Sequence, residues 1–430
     1  MQPESGNALR ILWIARYMPY PADAGAKVYS AKLAESLAAA GASVRFLGFG
    51  AAGAAPPEAQ HVEWVSVPDG RRSEWLALFS RLPNGAAVDA SPGYRRLLEE
   101  QLREAWDAIV LDTYAAGWAL DRCLAQRFTA QPPPAIVHVS HNHEAAVWRD
   151  LSASASGSLA RRFVVRLNAL KVRALEQRVV RHVDLLTTIT DEDRAALTRA
   201  GDGPQAITLT PGYSGTVAAP RSIDAATPRR VAIVGSFHWV MKQENLRRFV
   251  QTADTVFAQH DIQLDIIGAV PDRLREELAA NARATRFLGF VDDPVACLAQ
   301  ARMAVVPEVI GGGFKLKFLD YLFARVPIAT LADAAAGLPP SLREHMLLRD
   351  DLESLTAGIV ADIDRFDLLD RRQEQAYEVA RSLYRWQDRG TQLGRAIAQI
   401  HRRQRVGEDP SARNGPATAL KRLSASTPVK

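Results

Sequence analysis

The feature that most constrains the fold is an alternation of short apolar runs with segments of helical periodicity. The first fifty residues hold an apolar run at 11–15, a helix-period segment from about Lys27 to Ala40, and a second apolar run at 43–49. Apolar runs of this length predict buried strands, and a strand–helix–strand order predicts a parallel sheet with helices on both faces. Further strands are predicted at 62–67, 108–111, 135–139 and 185–189.

The alternation restarts after a segment that has no periodicity. Residues 210–228 are rich in Pro, Gly, Ser and Thr, as is typical of an interdomain linker. Beyond this segment, predicted helices alternate with strands at 231–237, 264–268, 285–290, 303–307 and 327–330. The sequence therefore predicts a second α/β domain, doubly wound like the first.

A chain of 430 residues is long enough for two such domains. We expect an N-terminal Rossmann-like domain at 1–212, a linker at 213–229 and a C-terminal Rossmann-like domain at 230–385. A helical segment at 386–405 is expected to pack back toward the N-terminal domain. Residues 406–430 lack apolar periodicity, which predicts a disordered tail.

Composition excludes several functional classes. A formal net charge of +5 does not indicate nucleic-acid binding, which would require a concentrated basic stripe. Cys123 and Cys297 are far apart and lie in no metal-ligand spacing, so neither a disulfide framework nor a zinc site is indicated. The apolar piece at 9–17 is short and broken by arginine, and no window reaches about 18 uninterrupted apolar residues. We expect a cytoplasmic protein that could still rest on the inner face of a membrane.

A glycine-rich loop and two lysines follow a predicted strand in the C-terminal half. Three glycines at 311–313 precede Lys315 and Lys317, which fall in the predicted first turn of a helix. Cations are disfavoured at a helix N-terminus, and glycines add no side-chain packing. Both features are explained by a bound phosphate held by amide N–H groups and lysines. The alternative is a flexible loop with solvated lysines.

Other strand ends in this half carry similar residues. Gly235 follows a strand and Lys242 precedes a helix, and both residue types suit a phosphate. Asp320 lies beside the buried face of the helix that contains Lys317. Its carboxylate could accept hydrogen bonds from ribose hydroxyls, or it could simply pair with Lys317 three residues earlier.

In the N-terminal half, polar residues follow three predicted strands: Asp23 and Gly25, Asp112, and the group His141, His143 and Glu144. This last group could supply a general base or hydrogen bonds to sugar hydroxyls. Alternatively, Asn142 and the histidines cap the helix that follows. A His-x-His metal site is a further alternative, although no other ligands recur at metal-site spacing. We discount two Asp-x-Asp matches. At 191–193, Thr190 and Asp193 would form a capping box, and 362–364 has no glycine-rich or strand-end context.

One predicted helix is basic and amphipathic. Residues 152–182 contain seven Lys or Arg and one Glu. Apolar residues recur at helical spacing, namely Leu159, Phe163, Leu167, Leu170 and Ala174. The stretch 159–181 could lie on an anionic membrane, or it could pack on a sheet with a solvated basic face.

Taken together, these motifs resemble a GT-B glycosyltransferase of the large retaining group commonly numbered family 4. The resemblance covers nearly all of 9–405. It is carried by the opening strand, Pro-rich loop and Gly25, by VAIVGSFHWVMKQEN, by LDIIG followed by FLGFVDDPVACLAQARMAVVP, and by GGGFKLKFLDYLFARVPIAT. The last piece matches a subgroup with Gly-x-Lys-x-Lys before the acidic helix residue. The resemblance implies an α/β fold of two doubly wound Rossmann-like domains facing across a cleft.

The resemblance also implies roles for individual residues. The C-terminal domain would bind a nucleotide-sugar donor, with Lys242 on the phosphates, Asp320 on the ribose and Phe290 and Val291 near the base. The implied donor-binding residues are Gly235, Lys242, Phe290, Val291, Gly312, Gly313, Phe314, Lys315, Lys317 and Asp320. The N-terminal domain would bind the acceptor through Asp23, Gly25 and His141, with Glu144, His143 and Asp112 as candidate catalytic residues.

Lysines and helix amides would stabilise the leaving nucleoside diphosphate without a metal ion or other cofactor. The acceptor would be a glycan or lipid-linked saccharide used in cell-surface or exopolysaccharide synthesis. The resemblance favours retention, in which a donor phosphate oxygen takes the acceptor proton. Inversion would require Glu144, Asp112 or Asp23 as a base.

The chain departs from the family pattern at one position. The family usually has Glu, seven residues, then Glu; here Asp320 holds the second position and Gly312 the first, while Glu308 lies four residues earlier. This departure leaves two alternatives open. One is a non-catalytic nucleotide-sugar-binding protein of the same fold, and the other is a sugar-nucleotide epimerase.

Overall fold

Two parallel β-sheets organise the molecule. The computed structural model describes residues 8–406 except for 23, 51–60, 69, 72, 74–76, 78, 154–157, 199–202 and 310–312. Within the described residues, one sheet has seven strands and the other has six.

The first sheet uses the N-terminal half of the chain. Its strands are β1 (Arg10–Tyr17), β2 (Ser43–Phe49), β3 (Val62–Ser66), β4 (Ala108–Asp112), β5 (Ala135–Val139), β6 (Leu185–Thr188) and β7 (Gln205–Thr208). They are parallel and lie in the order β3-β2-β1-β4-β5-β6-β7. The helices are α1 (Gly25–Ala39), α2 (Asn84–Asp89), α3 (Pro92–Gln101), α4 (Leu120–Thr129), α5 (Glu144–Ala153), α6 (Leu159–His182) and α7 (Asp191–Thr198), with a 3₁₀ helix at Tyr114–Ala119.

The central strands of this sheet are buried on both faces, as expected for a parallel sheet covered by helices. Successive residues of β1 point to opposite layers. Ile11 and Trp13 belong to one apolar core, whereas Leu12 and Ile14 belong to the other. This is why the run at 11–15 is continuously apolar instead of alternating with polar residues.

The second sheet uses the C-terminal half. Its strands are β8 (Arg230–Val234), β9 (Gln263–Ile267), β10 (Thr285–Gly289), β11 (Met303–Val306), β12 (Ile328–Leu331) and β13 (Leu347–Arg349), in the order β10-β9-β8-β11-β12-β13. The helices are α8 (Val240–Gln259), α9 (Asp272–Ala279), α10 (Pro294–Ala299), α11 (Lys317–Phe323), α12 (Pro340–Arg343), α13 (Leu352–Asp362), α14 (Phe366–Leu383) and α15 (Trp386–Val406).

These two parallel sheets confirm the predicted fold class, a pair of doubly wound α/β layers. Several elements were not predicted, among them the strands β7 and β13 and the helices α2, α3, α4, α12 and α13. Strand β7 is only half-buried along its length, and β13 has three residues, so neither carries a long apolar run. The chain between β7 and β8 forms no helix or strand, as the composition of the linker suggests.

Helix α15 returns to the N-terminal half and packs along α1. Its residues Leu393, Ile397 and Ile400 are buried in the same core as β1. Gly390 allows the close approach, because a Cβ atom there would lie 2.0 Å from the carbonyl oxygen of Ser36. The last helix therefore belongs structurally to the first sheet, although it follows the second in sequence.

Two further properties concern the described residues as a whole. None of their helices has both the length and the hydropathy needed to span a membrane. Cys123 and Cys297 are both free thiols, the first buried and the second half-buried.

Candidate functional site

The strand order of the second sheet reverses between β8 and β11, so residues after these two strands flank one crevice. Gly235 follows β8, and its N–H donates to the carbonyl oxygen of Ile267 at 2.9 Å. Gly268, with φ of 115°, packs against it so closely that a Cβ atom would lie 2.0 Å from the carbonyl oxygen of Gly235. Glycines at both strand ends leave backbone, without side chains, at this part of the sheet edge.

Three lysines meet at this crevice around one carboxylate. The Nζ atom of Lys317 lies 2.6 Å from Oε1 of Glu308, and their side chains are only 13% and 11% exposed. Burial lowers the pKa of Lys315 and of Lys242, the charge of Lys317 lowers both further, and the charge of Glu308 acts in the opposite direction. We call Lys242, Lys315 and Lys317 the lysine cluster. Because the charge of Lys317 acts on both other lysines, positive charge is concentrated at this edge of the sheet.

The predicted start of α11 needs correction. The helix begins at Lys317, so Lys315 lies in the preceding loop rather than in the first turn. Lys317 does occupy the unfavourable N-terminal position. Its charge is compensated by Glu308, which lies two residues after β11, and not by the i+3 residue Asp320. Sequence spacing alone could not identify this partner, because the contact depends on how the loop folds back.

Asp320 is exposed on α11, although neighbouring protein atoms partly desolvate its carboxylate. The resulting desolvation raises the pKa of Asp320 to about 6, although the charge of Lys317 lowers it. An exposed carboxylate with a raised pKa is available for a ligand hydroxyl.

Exposed apolar side chains line other parts of the same edge. Phe290 directly follows β10 and is 81% exposed, whereas Val291 packs against the core. Trp239 and Val240, at the start of α8, are also exposed. Trp239 was not among the predicted site residues, although an aromatic residue between Gly235 and Lys242 could have indicated it.

On the N-terminal side, Asp112 and His141 form a buried pair. Asp112 ends β4 and is 1% exposed. One carboxylate oxygen accepts a hydrogen bond from Nε2 of His141 and the other from Nε1 of Trp13, both at 2.8 Å. The His141 ring also makes an edge contact with Tyr29. Because both oxygens of Asp112 are occupied, this carboxylate is placed to orient His141.

Backbone strain marks the end of β4. Thr113 has φ of 65° and ψ of 164°, a conformation that β-branched residues rarely adopt. Its N–H donates to the carbonyl oxygen of Val139 at 2.9 Å, which fixes the turn. The strand order of the first sheet reverses between β1 and β4, so the strained residue lies at the switch point of that sheet.

Two carboxylates hold the backbone of the segment 143–145. The two oxygens of Glu176 accept the backbone N–H groups of Glu144 and Ala145 at 2.7 and 3.1 Å, and Asp193 accepts that of His143 at 3.3 Å. The N-terminus of α5 is therefore held by Glu176 on α6, a residue far from it in the sequence. Burial raises the pKa of Glu144, and raises that of Glu176 to about 7.

Glu176 and Asp193 were missed as parts of the site. The signal for Glu176 was present, since it is the one acid among seven basic residues in 152–182. Asp193 does donate its N–H to the hydroxyl of Thr190 at 3.1 Å, as the predicted cap requires. That same residue also holds His143 through its carboxylate, which a local motif could not indicate.

The two halves of the molecule are in contact at the loop that carries Lys315. A Cβ atom on Gly313, which has φ of 74°, would lie 2.7 Å from Oδ1 of Asn142. A Cβ atom on Gly25 would lie 3.0 Å from Leu316. Phe314 packs against apolar cores of both halves. The segment 141–144 is thus brought against the loop that carries Lys315.

Two predicted site residues, Gly312 and Asp23, lie outside the described residues. The described residues contain no group of three or more His, Cys, Asp or Glu side chains arranged to hold a metal ion. His141 binds Asp112, whereas His143 lies 3.7 Å from Glu176, so the two histidines of the His-x-His sequence have different partners.

Comparison with known protein families identifies both halves. Residues 24–212 match the glycosyl transferase 4-like domain, and residues 228–363 match the glycosyl transferases group 1 domain. Together these matches cover most of the chain, one for each sheet. Both matches are to glycosyltransferase domains, so the chain is a glycosyltransferase. The fold and the family agree with the resemblance carried by the sequence motifs.

Solved glycosyltransferase structures share the fold of this enzyme. WaaG, a glycosyltransferase involved in lipopolysaccharide biosynthesis, is 16% identical over 89% of this chain and 99% of its own, with a TM-score of 0.62. HepE from Anabaena, solved with UDP and glucose, is 14% identical over 91% and 100%, with a TM-score of 0.58. The trehalose-6-phosphate synthase OtsA is 14% identical over 91% and 99%, with a TM-score of 0.60. Curated protein sequences give no match.

Proposed function

We propose that this glycosyltransferase takes its sugar from a nucleotide-sugar held at the crevice of the second sheet. The convergence of Lys242, Lys315 and Lys317 is the observation that carries the proposal. The diphosphate group of a nucleotide-sugar is an anion, and cations at the switch point of a doubly wound sheet can bind it. Asp320 would accept hydrogen bonds from the ribose, and Phe290 would cover the base. The complexes of HepE with UDP and with UDP-glucose support this ligand class.

The chemistry proposed for this crevice needs no metal ion. The bond between the anomeric carbon and the diphosphate breaks, and the lysine cluster stabilises the negative charge that develops on the leaving group. His141, oriented by Asp112, lies on the opposite side, where the reacting sugar would sit. For a retaining reaction, a donor phosphate oxygen takes the acceptor proton. For an inverting reaction, the raised pKa of Glu144 suits it to act as the base.

The proposed acceptor is a glycan or lipid-linked saccharide bound by the first sheet. The switch point between β1 and β4 provides a crevice there, and Gly25 and His141 lie at its edge. The involvement of WaaG in lipopolysaccharide biosynthesis supports a role in cell-surface or exopolysaccharide synthesis.

A membrane surface is the proposed location of the acceptor. On α6, Leu159 is 82% and Phe163 67% exposed, and Leu170 is exposed as well. The exposure of these side chains supports the membrane alternative over packing on the sheet for the first part of the helix. Only the later part, including Val172 and Val179, enters the core. Basic side chains flank the exposed stripe, which suits an anionic lipid surface.

The proposal is tested by incubating the enzyme with UDP-, GDP- and ADP-sugars. Slow hydrolysis of one donor is expected, because the lysine cluster stabilises the leaving group even when water replaces the acceptor. A non-catalytic binding protein would release no sugar from any donor. An epimerase would convert the donor to its epimer without any acceptor, which product analysis would reveal.

A further inference from the structure

Glu308 places a negative charge inside the lysine cluster. Its carboxylate lies 2.6 Å from Lys317, and both side chains are largely buried. A carboxylate in this position opposes the binding of any anion to these lysines. Simple affinity for a diphosphate would be served better by a neutral residue.

The charges of the site and of its ligands indicate how the Glu308 carboxylate affects binding. Among the described residues of the crevice, the charges of three lysines are opposed by Glu308, by Asp320 and by the exposed Asp333. Glu308 is the one of these acids that forms an ion pair with Lys317, and it acts on Lys315 more strongly than Asp333 does. The diphosphate of a nucleotide-sugar carries two negative charges. The nucleoside diphosphate released by the reaction has a terminal phosphate whose second ionisation falls near pH 6, so it carries about one more negative charge at pH 8.

We infer that Glu308 lowers the positive charge of the lysine cluster, so that the nucleoside diphosphate product is disfavoured relative to the nucleotide-sugar and leaves faster. The inference rests on the proposed function, since it takes the lysine cluster as the diphosphate site. The product carries one more negative charge than the donor. The carboxylate of Glu308 therefore repels the product more strongly than it repels the donor. For charges about 6 Å apart in a partly solvated site, one unit of charge changes affinity by about tenfold.

The experiment compares, in each variant at pH 8, the dissociation constant of a nucleoside diphosphate with that of the corresponding nucleotide-sugar. Calorimetry is performed with UDP and UDP-glucose, with GDP and GDP-mannose, and with ADP and ADP-glucose, and the pair that binds the wild type is used. In Glu308→Gln the nucleoside diphosphate should gain about tenfold in affinity relative to its sugar derivative. Product inhibition should strengthen to the same extent. Glu277→Gln removes a carboxylate that pairs with Arg247 on the same half of the molecule, and it should change neither quantity.

A double variant separates charge from other effects. Glu308→Gln with Lys317→Gln restores the net charge, and the ratio of the two affinities should return to within about twofold of the wild-type value. It also removes both partners of the ion pair, so neither is left buried alone if the single variant is unstable. Equal gains for both ligands in Glu308→Gln, or a double variant that keeps the altered ratio, would overturn the inference. A wild type that binds none of the three diphosphates would instead refute the proposed function.

Discussion

At the scale of single residues, Asp112 organises the N-terminal side of the crevice. It is held at the end of a buried strand by the strained turn at Thr113 and by the indole N–H of Trp13. Its second oxygen fixes the ring of His141. A buried carboxylate that accepts two hydrogen bonds restrains its partners strongly, because the loss of either bond leaves a polar group without a partner in the interior.

Asp112→Asn should lower the rate of sugar transfer without weakening nucleoside diphosphate binding. An amide has one acceptor oxygen, so it cannot serve both Trp13 and His141, and the imidazole loses its orientation. A hydrogen bond to a charged group contributes about 1.5–3 kcal/mol, so a decrease of at least about tenfold in kcat is expected. Steady-state kinetics and calorimetry measure the two effects separately. Asp121→Asn, which removes an exposed ion pair with Arg178, provides the control. Unchanged kcat would show that Asp112 does not act through His141.

At the scale of elements, α6 has two functions in the fold. Its later part packs into the core and delivers Glu176 to the N-terminus of α5, whereas its first part exposes apolar side chains. Burial and the nearby carboxylates Glu144 and Asp193 raise the pKa of Glu176 to about 7, even though two backbone N–H groups oppose that shift. The folded protein therefore binds a proton at Glu176 more tightly than the unfolded chain does.

This pKa shift predicts a pH dependence of stability. In the unfolded chain, Glu176 has its ordinary pKa of 4.5. Its contribution to the free energy of unfolding is fully present below that pH and is lost as the pH rises through about 7. The free energy of unfolding should therefore fall by up to about 3 kcal/mol over this range through Glu176 alone. Glu176→Gln does not titrate and should lose that part of the dependence. Thermal unfolding at pH 5 and pH 8 measures the difference, and parallel profiles for wild type and variant would contradict the assignment.

At the scale of the whole molecule, the two sheets are joined by the linker, by α15 and by contacts around the crevice. Gly313 against Asn142 and Gly25 against Leu316 bring backbone of one half to side chains of the other. Phe314 packs against both cores, so the loop that carries Lys315 contacts both halves of the molecule. Under the proposed function, this shared loop would position both donor and acceptor.

The exposed face of α6 should bind anionic lipid. We expect salt-sensitive association with vesicles that contain phosphatidylglycerol and little association with neutral phosphatidylcholine vesicles. Phe163→Glu should weaken this association, because the apolar stripe loses its large aromatic residue and gains a repelled charge. Phe128→Glu alters another exposed aromatic residue, on α4, and serves as the control. Equal sedimentation with both vesicle types, or equal loss in both variants, would argue against this surface.

Much of the architecture could be predicted because it depends on local patterns. Runs such as 11–15 and 303–307 are apolar since both faces of a parallel sheet are covered, and this signal is independent of tertiary detail. The lysine cluster was indicated in the same way, by glycines and misplaced charges after a strand. The contacts of Glu308 with Lys317 and of Glu176 with α5 were not predicted, because they join residues through folded loops or across helices.

The central claim, a nucleoside diphosphate bound by the lysine cluster, is tested most directly by calorimetry on Lys315→Ala. Wild type should bind the nucleoside diphosphate of its donor, and the variant should lose at least about tenfold in affinity, because a partly buried cation next to a phosphate contributes about 1.5–3 kcal/mol. Lys32→Ala, which removes an ion pair with Glu35 on α1, should bind as the wild type does. Unchanged affinity in Lys315→Ala would contradict the claim.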